Sequence, residues 1–211
     1  MHMARPKEDQ DLLQRALRHL AKADRDFARA IDEVGPPLPR KRPAGFIGLL
    51  HVIVAQQVST HAAKAISARL DAALAEKTPE AFLRLTDADL RAVGFSGQKV
   101  VYGRDLAAAF LDGRLSMPKL RKLSDDDAID AITSVKGLGV WSAEVFLLFS
   151  LQRPDVLPAH DLGLIVAAQR MKRLKERPSP KQLREIAEPW RPYRSYASRM
   201  LWHYYHATPA L

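Results

Sequence analysis

Apolar residues recur at helical spacing along most of this chain and no stretch alternates convincingly with period two, so the pattern points away from strands. From Leu12 through Leu13, Ala16, Leu17 and Leu20 to Phe27 and Ile31 they share one face with charges between them, which predicts a single amphipathic first helix. Gly35-Pro36-Pro37 ends it, and Pro39-Arg40-Lys41-Arg42-Pro43 follows as a basic, proline-bracketed connection. Phe46 to Leu74 suits two helices broken near Ser59-Thr60, either of which can cap the second. Further helices are expected at Asp87 to Val93, Gln98 to Leu111, Asp125 to Thr133, Val140 to Leu151, Asp161 to Leu174, Pro180 to Glu188 and Tyr193 to His206. With short turns rich in Gly, Pro and Ser between them, the expectation is an all-α fold of about ten helices without internal repeats.

At 211 residues and 47% hydrophobic composition the chain can bury a real core, as one domain or two small lobes. Its 33 Lys and Arg against 24 Asp and Glu give a net charge of +9, which attracts polyanions and makes nucleic acid the first partner to consider. Many basic proteins never touch DNA, so chemistry has to decide. The absence of cysteine excludes disulfides, thiolate zinc sites, Cys nucleophiles and cysteine-held iron–sulfur clusters. The longest apolar run, Phe46 to Ala55, is interrupted by His51 and falls far short of the roughly 20 residues that span a bilayer. Met1-His2-Met3 leads straight into charged sequence unlike an export signal, so a cytoplasmic protein is expected.

Val135-Lys136-Gly137-Leu138-Gly139-Val140-Trp141-Ser142-Ala143 places two glycines, one residue apart, between one expected helix and another beginning near Val140. Such a loop can aim backbone N–H groups at an anion where the second helix starts, and a phosphate read only through backbone is bound without regard to base sequence. A Gly-x-Gly ahead of a helix also fits a plain turn between two helices. The wider context narrows this. The run Lys136 to Glu144, followed by Arg153-Pro154-Asp155-Val156-Leu157-Pro158-Ala159-His160-Asp161-Leu162-Gly163, closely resembles the helix-hairpin-helix DNA glycosylases, and more narrowly the alkylbase, or 3-methyladenine glycosylase II, type. Ile53-Val54-Ala55-Gln56-Gln57-Val58-Ser59 upstream and Trp190-Arg191-Pro192-Tyr193-Arg194-Ser195-Tyr196-Ala197 downstream agree in order and spacing, so the resemblance extends from about Phe46 to Trp202.

The resemblance implies a fold of two helical lobes with the DNA lying across the cleft between them, and no room for the N-terminal β-rich domain of larger relatives. Residues 1–50 with 151–211 are expected to form the terminal lobe, and 51–150 the central lobe carrying the hairpin motif at about 133–150. It also implies excision of alkylated purines from damaged duplex DNA in base excision repair, by a chain for which a monomer is sufficient. Breaking the N-glycosidic bond builds positive charge on the deoxyribose, and Asp161 matches the carboxylate that stabilises it. Asp161 read alone is an N-cap for the helix that starts at Leu162, and both roles are compatible. Trp141 stands where strand-cleaving relatives carry a nucleophilic lysine, so no lyase step is expected. Gln57 matches the residue that wedges into DNA when the target nucleotide swings out. Trp141, Trp190 and Tyr193 are candidates for an aromatic pocket facing a cationic base, with Trp202 left to the core. Gly137, Gly139, Lys136 and Val140 are expected at the phosphate.

His160 and Val145 depart from the family pattern, where a second acidic residue and a pocket tyrosine are common; Val145 leaves hypoxanthine or ethenoadenine open as substrates. His51 and His61 lack metal-ligand spacing. Gly94-Phe95-Ser96-Gly97-Gln98-Lys99 is read as a structural turn. No organic cofactor is implied, although relatives can hold a monovalent cation, Na+ or K+, through hairpin carbonyls. A non-catalytic module that grips phosphate through the hairpin, and a glycosylase/lyase for oxidised bases, are the competing readings; a carboxylate facing polyanionic DNA disfavours the first.

Overall fold

The computed structural model describes residues 6–208, with side chains from residue 10, so Met1-His2-Met3 lies outside the described residues. Among the described residues the protein is built of α-helices without strands, as expected: α1 (Pro6–Ala23), α2 (Arg25–Val34), α3 (Gly45–Ala55), α4 (Thr60–Ala73), α5 (Pro79–Arg84), α6 (Asp87–Val93), α7 (Gly97–Leu111), α8 (Met117–Lys122), α9 (Asp125–Thr133), α10 (Val140–Phe149), α11 (Leu162–Met171), α12 (Pro180–Ile186), a 3-10 turn at Glu188–Trp190, and α13 (Arg194–Ala207). Hydroxyl N-caps start many of them, each accepting from the amide three residues on: Ser59, Thr78, Thr86, Ser96, Ser116, Ser124 and Ser179. The short helices α5 and α8 went unforeseen because six residues are too few to show a period, yet both carry a Thr or Ser cap and a proline in the first turn.

The chain divides into two units, one formed by residues up to Lys41 with those from Gln152 onward, the other by Arg42–Leu151. A boundary at residue 50 would cut through α3. No helix among the described residues is long and apolar enough to cross a membrane.

In the first unit the single first helix expected from periodicity is two, broken at Asp24. Its extended backbone (φ −147°, ψ 112°) lets the carboxylate cap α2 by accepting from the Asp26 amide. The same carboxylate accepts from Lys172 Nζ at 3.0 Å and from Trp190 Nε1 at 2.9 Å, so the break is anchored by residues far along the chain. Burial alone would push the Lys172 ammonium down, but the hydrogen bonds it donates to Asp26 and Asp24 outweigh it and hold the group above its usual value. Trp190 is fully buried against Phe27, with ring centroids 4.9 Å apart and planes perpendicular. Around them Leu17, Leu20, Leu164, Met171, Leu183 and Met200 fill the core.

In the second unit α3 is apolar around its circumference except at His51 and is buried accordingly, packed against α4, α7 and α10. Phe46, Phe82, Phe95 and Phe110 meet in tilted and edge-on pairs at 5.7 to 6.1 Å. Gly48 permits close approach here: a Cβ would lie 2.1 Å from the Pro43 carbonyl oxygen and 3.1 Å from Phe146. Helix α10 is buried from Ser142 to Phe149, so only its first residues reach the surface, with Val140 exposed and Trp141 half-buried. This places the hairpin at the edge of the core.

Candidate active site

The hairpin is the turn from Ser134 to Gly139 between α9 and α10. Leu138 and Val135 are buried beneath it, and the Leu138 amide donates to the Val135 carbonyl at 3.1 Å. Gly137 takes a left-handed backbone, φ +86°, with the Tyr102 ring laid against it so closely that a Cβ would sit 2.2 Å from Tyr102 Cγ. Asp105 Oδ2 accepts from the Lys136 amide at 2.8 Å, and Gln56 Nε2 donates to the Gly137 carbonyl at 2.8 Å. Gly139, by contrast, has an ordinary φ of −92° and open space where a Cβ would be. It caps α10 without a side-chain hydrogen bond, so the cap residue itself leaves the amides at the positive end of the helix dipole to other partners. Lys136, Gly139 and Val140 are exposed around this helix start. The Val135 and Gly137 carbonyls accept hydrogen bonds within the unit.

Gln57 lies in the turn between α3 and α4, is exposed, and has φ +56°. A non-glycine residue in this region is uncommon and costs on the order of 1 kcal/mol, an outlier of the kind that gathers at functional positions. Lys99 sits at the start of α7 and donates from Nζ to the Val54 carbonyl at 2.8 Å, where it meets the negative end of α3. Burial pushes its ammonium below the usual lysine value. The Gly94–Lys99 stretch is thus a structural turn, with Gly94 ending α6 and Ser96 capping α7.

In the first unit Asp161 caps α11, and its Oδ1 accepts from the Leu164 amide at 3.0 Å and from Trp202 Nε1 at 3.0 Å. Gly163 makes room for this, since a Cβ there would lie 3.1 Å from Oδ1 and 3.5 Å from the Trp202 ring. The loop leading to Asp161 is pinned from α13. Arg194 reaches Asp155 through Nε (2.9 Å) and Nη2 (3.0 Å), Arg191 adds a bond at 2.8 Å, and Ser195 Oγ donates to the Arg153 carbonyl and accepts from the Val156 amide at 2.9 Å. Leu157 and Ala159 are buried below. A carboxylate on so heavily braced a loop is held in one place, and next to it Leu162 is 62% exposed.

One expectation is corrected. Trp190 has no exposed surface and gives its N–H to Asp24, so it is a core residue and cannot line a pocket. Tyr193 is half-buried and packs edge-on against His19 and Tyr196, at 5.2 and 6.0 Å. The tryptophan beside the carboxylate is Trp202, expected in the core; it is partly buried against that core and also donates to Asp161. Arg191, Arg194 and Ser195, quoted in sequence only as family markers, are the braces of the Asp161 loop; nothing in local spacing reveals that they reach back nearly forty positions. His160 and His61 are exposed, His51 pairs with Asp71 Oδ1 at 3.0 Å, and Val145 is buried within α10. No group of three or more His, Cys, Asp or Glu that could hold a metal occurs among the described residues.

Residues 50–192 match the profile of the HhH-GPD superfamily base excision DNA repair proteins. The fold superposes on the Schizosaccharomyces pombe 3-methyladenine DNA glycosylase in complex with abasic DNA with a TM-score of 0.83 and 30% identity, over 89% of this chain and 95% of that one. A DNA-3-methyladenine glycosidase from Bacillus halodurans superposes with a TM-score of 0.78 and 32% identity, over 89% and 87% of the two chains. A putative DNA-3-methyladenine glycosylase of Bacillus subtilis is 30% identical over 73% of this chain, which spans 56% of that longer protein.

Proposed function

This chain belongs to the HhH-GPD superfamily of base excision DNA repair proteins, and from that premise we propose that it is a monofunctional DNA glycosylase releasing alkylated purines from duplex DNA. The observation that carries the reading is the Asp161 carboxylate, fixed through Oδ1 by two N–H donors on a loop braced by Arg194 and Ser195. The hairpin, whose helix is capped by a glycine with no side chain of its own, holds a backbone phosphate, and Lys136 adds charge beside it. Gln57 enters the stack as the damaged nucleotide leaves it.

In the reaction the C1′–N bond breaks with its electron pair going to the departing purine, already a good leaving group when alkylated at N3 or N7. The positive charge left on C1′ and the ring oxygen is met by Asp161, and a water then adds to C1′ and gives up its proton to solvent. An anion that is prealigned before the charge appears stabilises the transition state more than the ground state. Trp202 is a positioning residue in this scheme. Trp202→Phe keeps a ring at the position but removes the N–H to Asp161, and is expected to slow single-turnover base release about tenfold, from the loss of one hydrogen bond to a charged group.

Trp141 offers no amine at the position from which related enzymes attack the sugar, so the product is an intact abasic strand. The chain acts on damaged DNA as a monomer in the cytoplasm. The test is incubation with duplex DNA carrying methylated purines: free base and alkali-sensitive sites are expected, with no protein–DNA adduct trapped by borohydride. A trapped adduct overturns the monofunctional reading, and binding without release of any methylated purine returns the chain to a phosphate-gripping module.

A further inference from the structure

The glutamine pair 56–57 divides its work. Gln57 is exposed on a left-handed backbone, whereas the Gln56 side chain turns inward from the end of α3. Its Nε2 donates to the Gly137 carbonyl at 2.8 Å and to Ser142 Oγ at 3.1 Å. A carbonyl only accepts, so the orientation of the amide is settled by its partner, and both N–H groups are spent on the two ends of the hairpin. Gly137 belongs to the loop and Ser142 to the buried first turn of α10. The neighbouring turn is tied a second time through Lys99 Nζ to the Val54 carbonyl at 2.8 Å.

We propose that Gln56 is a positioning residue that locks the turn carrying Gln57 to the helix-hairpin-helix, so that the grip on phosphate and the entry of Gln57 into the DNA stack share one rigid geometry. This rests on the roles proposed above for Gln57 and the hairpin. The hairpin does not depend on Gln56 alone, because Asp105 holds the Lys136 amide and Tyr102 lies against Gly137. Loss of the Gln56 amide therefore releases the wedge turn more than it deforms the phosphate site. A residue held in the left-handed region gains nothing intrinsic from staying there, so the untied turn relaxes toward conformations in which Gln57 no longer points at the stack.

The test compares Gln56→Met, similar in length and without a donor, with Gln57→Ala and the double variant. Affinity is measured for two otherwise identical duplexes, one undamaged and one carrying a tetrahydrofuran abasic site beside 2-aminopurine, whose fluorescence reports insertion. Gln56→Met is expected to lose about tenfold in affinity for the abasic duplex together with the fluorescence change, while binding of undamaged DNA stays within about twofold. Adding Gln57→Ala should cost little more, since an unlocked wedge is already lost. If Gln57→Ala is silent on the abasic duplex, the wedge role fails and takes the lock with it. If Gln57→Ala loses the abasic preference and Gln56→Met keeps it, the lock alone is overturned. Equal losses on both duplexes in Gln56→Met also overturn it, making Gln56 a support of the hairpin only. Should Gln56→Met fail to fold, Gln56→Glu, which sets an oxygen against the Gly137 carbonyl, is read on the same two duplexes.

Discussion

Asp161→Asn is expected to bind alkylated duplex DNA like the wild type and to release methylated purines some 10²–10³-fold more slowly, the scale seen when a prealigned transition-state partner is removed. Asparagine is the informative choice because it separates the two roles of this position. Its side-chain oxygen can still accept from the Leu164 amide and from Trp202 Nε1, and Asn caps a helix as well as Asp, so α11 and its loop keep their place. Only the charge is lost. Unchanged thermal stability with collapsed base release assigns the charge to the reaction. Full activity in Asp161→Asn reduces the residue to a cap and removes the central claim. Single-turnover base release, with abasic sites revealed by alkali and affinity measured in parallel, distinguishes the cases.

Gly137→Ala is expected to damage DNA binding with little regard to whether the duplex is damaged, by roughly tenfold or more. Two costs coincide. The backbone at φ +86° is unfavourable for alanine by about 1–2 kcal/mol, and the new Cβ would lie 2.2 Å from the Tyr102 ring, which cannot coexist with it. The hairpin has to move, and the N–H groups that would meet a phosphate move with it; one hydrogen bond to a charged group is worth about 1.5–3 kcal/mol, enough for a tenfold loss. Gly139→Ala provides the contrast, since its backbone is ordinary and nothing lies within 4 Å of the added carbon, so the fold should tolerate it. If Gly137→Ala binds undamaged duplex as well as the wild type, the hairpin is a structural turn and the phosphate lies elsewhere.

Much of this protein can be read from short stretches of sequence. The apolar period marks the longer helices, hydroxyl residues mark many of their starts, and the glycine pair marks a turn from which a helix begins at a glycine cap. Asp161 at the head of α11 is legible for the same reason, since capping is decided by residues three apart. The break of the first helix at Asp24 escapes such reading. An aspartate inside an amphipathic run looks like one more solvated charge, and it becomes a helix boundary because Lys172 and Trp190, almost 150 positions away and more, converge on its carboxylate.

The same limit explains the tryptophans, the glycines and the glutamines. Trp190 sits inside a recognisable motif and is buried in the core, while Trp202, outside any motif, meets Asp161 across 41 positions. Gly137 and Gly139 are equivalent by spacing, and only the left-handed backbone and the Tyr102 ring at Gly137 make one of them irreplaceable. Gln56 and Gln57 are adjacent and identical in kind, yet one reaches the hairpin across 81 positions and the other faces outward. Local periodicity and capping act through atoms within one turn of helix, and the sequence carries them openly. Which side chains meet depends on how helices pack into one another, a collective outcome of filling the core, and chemically equal residues acquire different work only there.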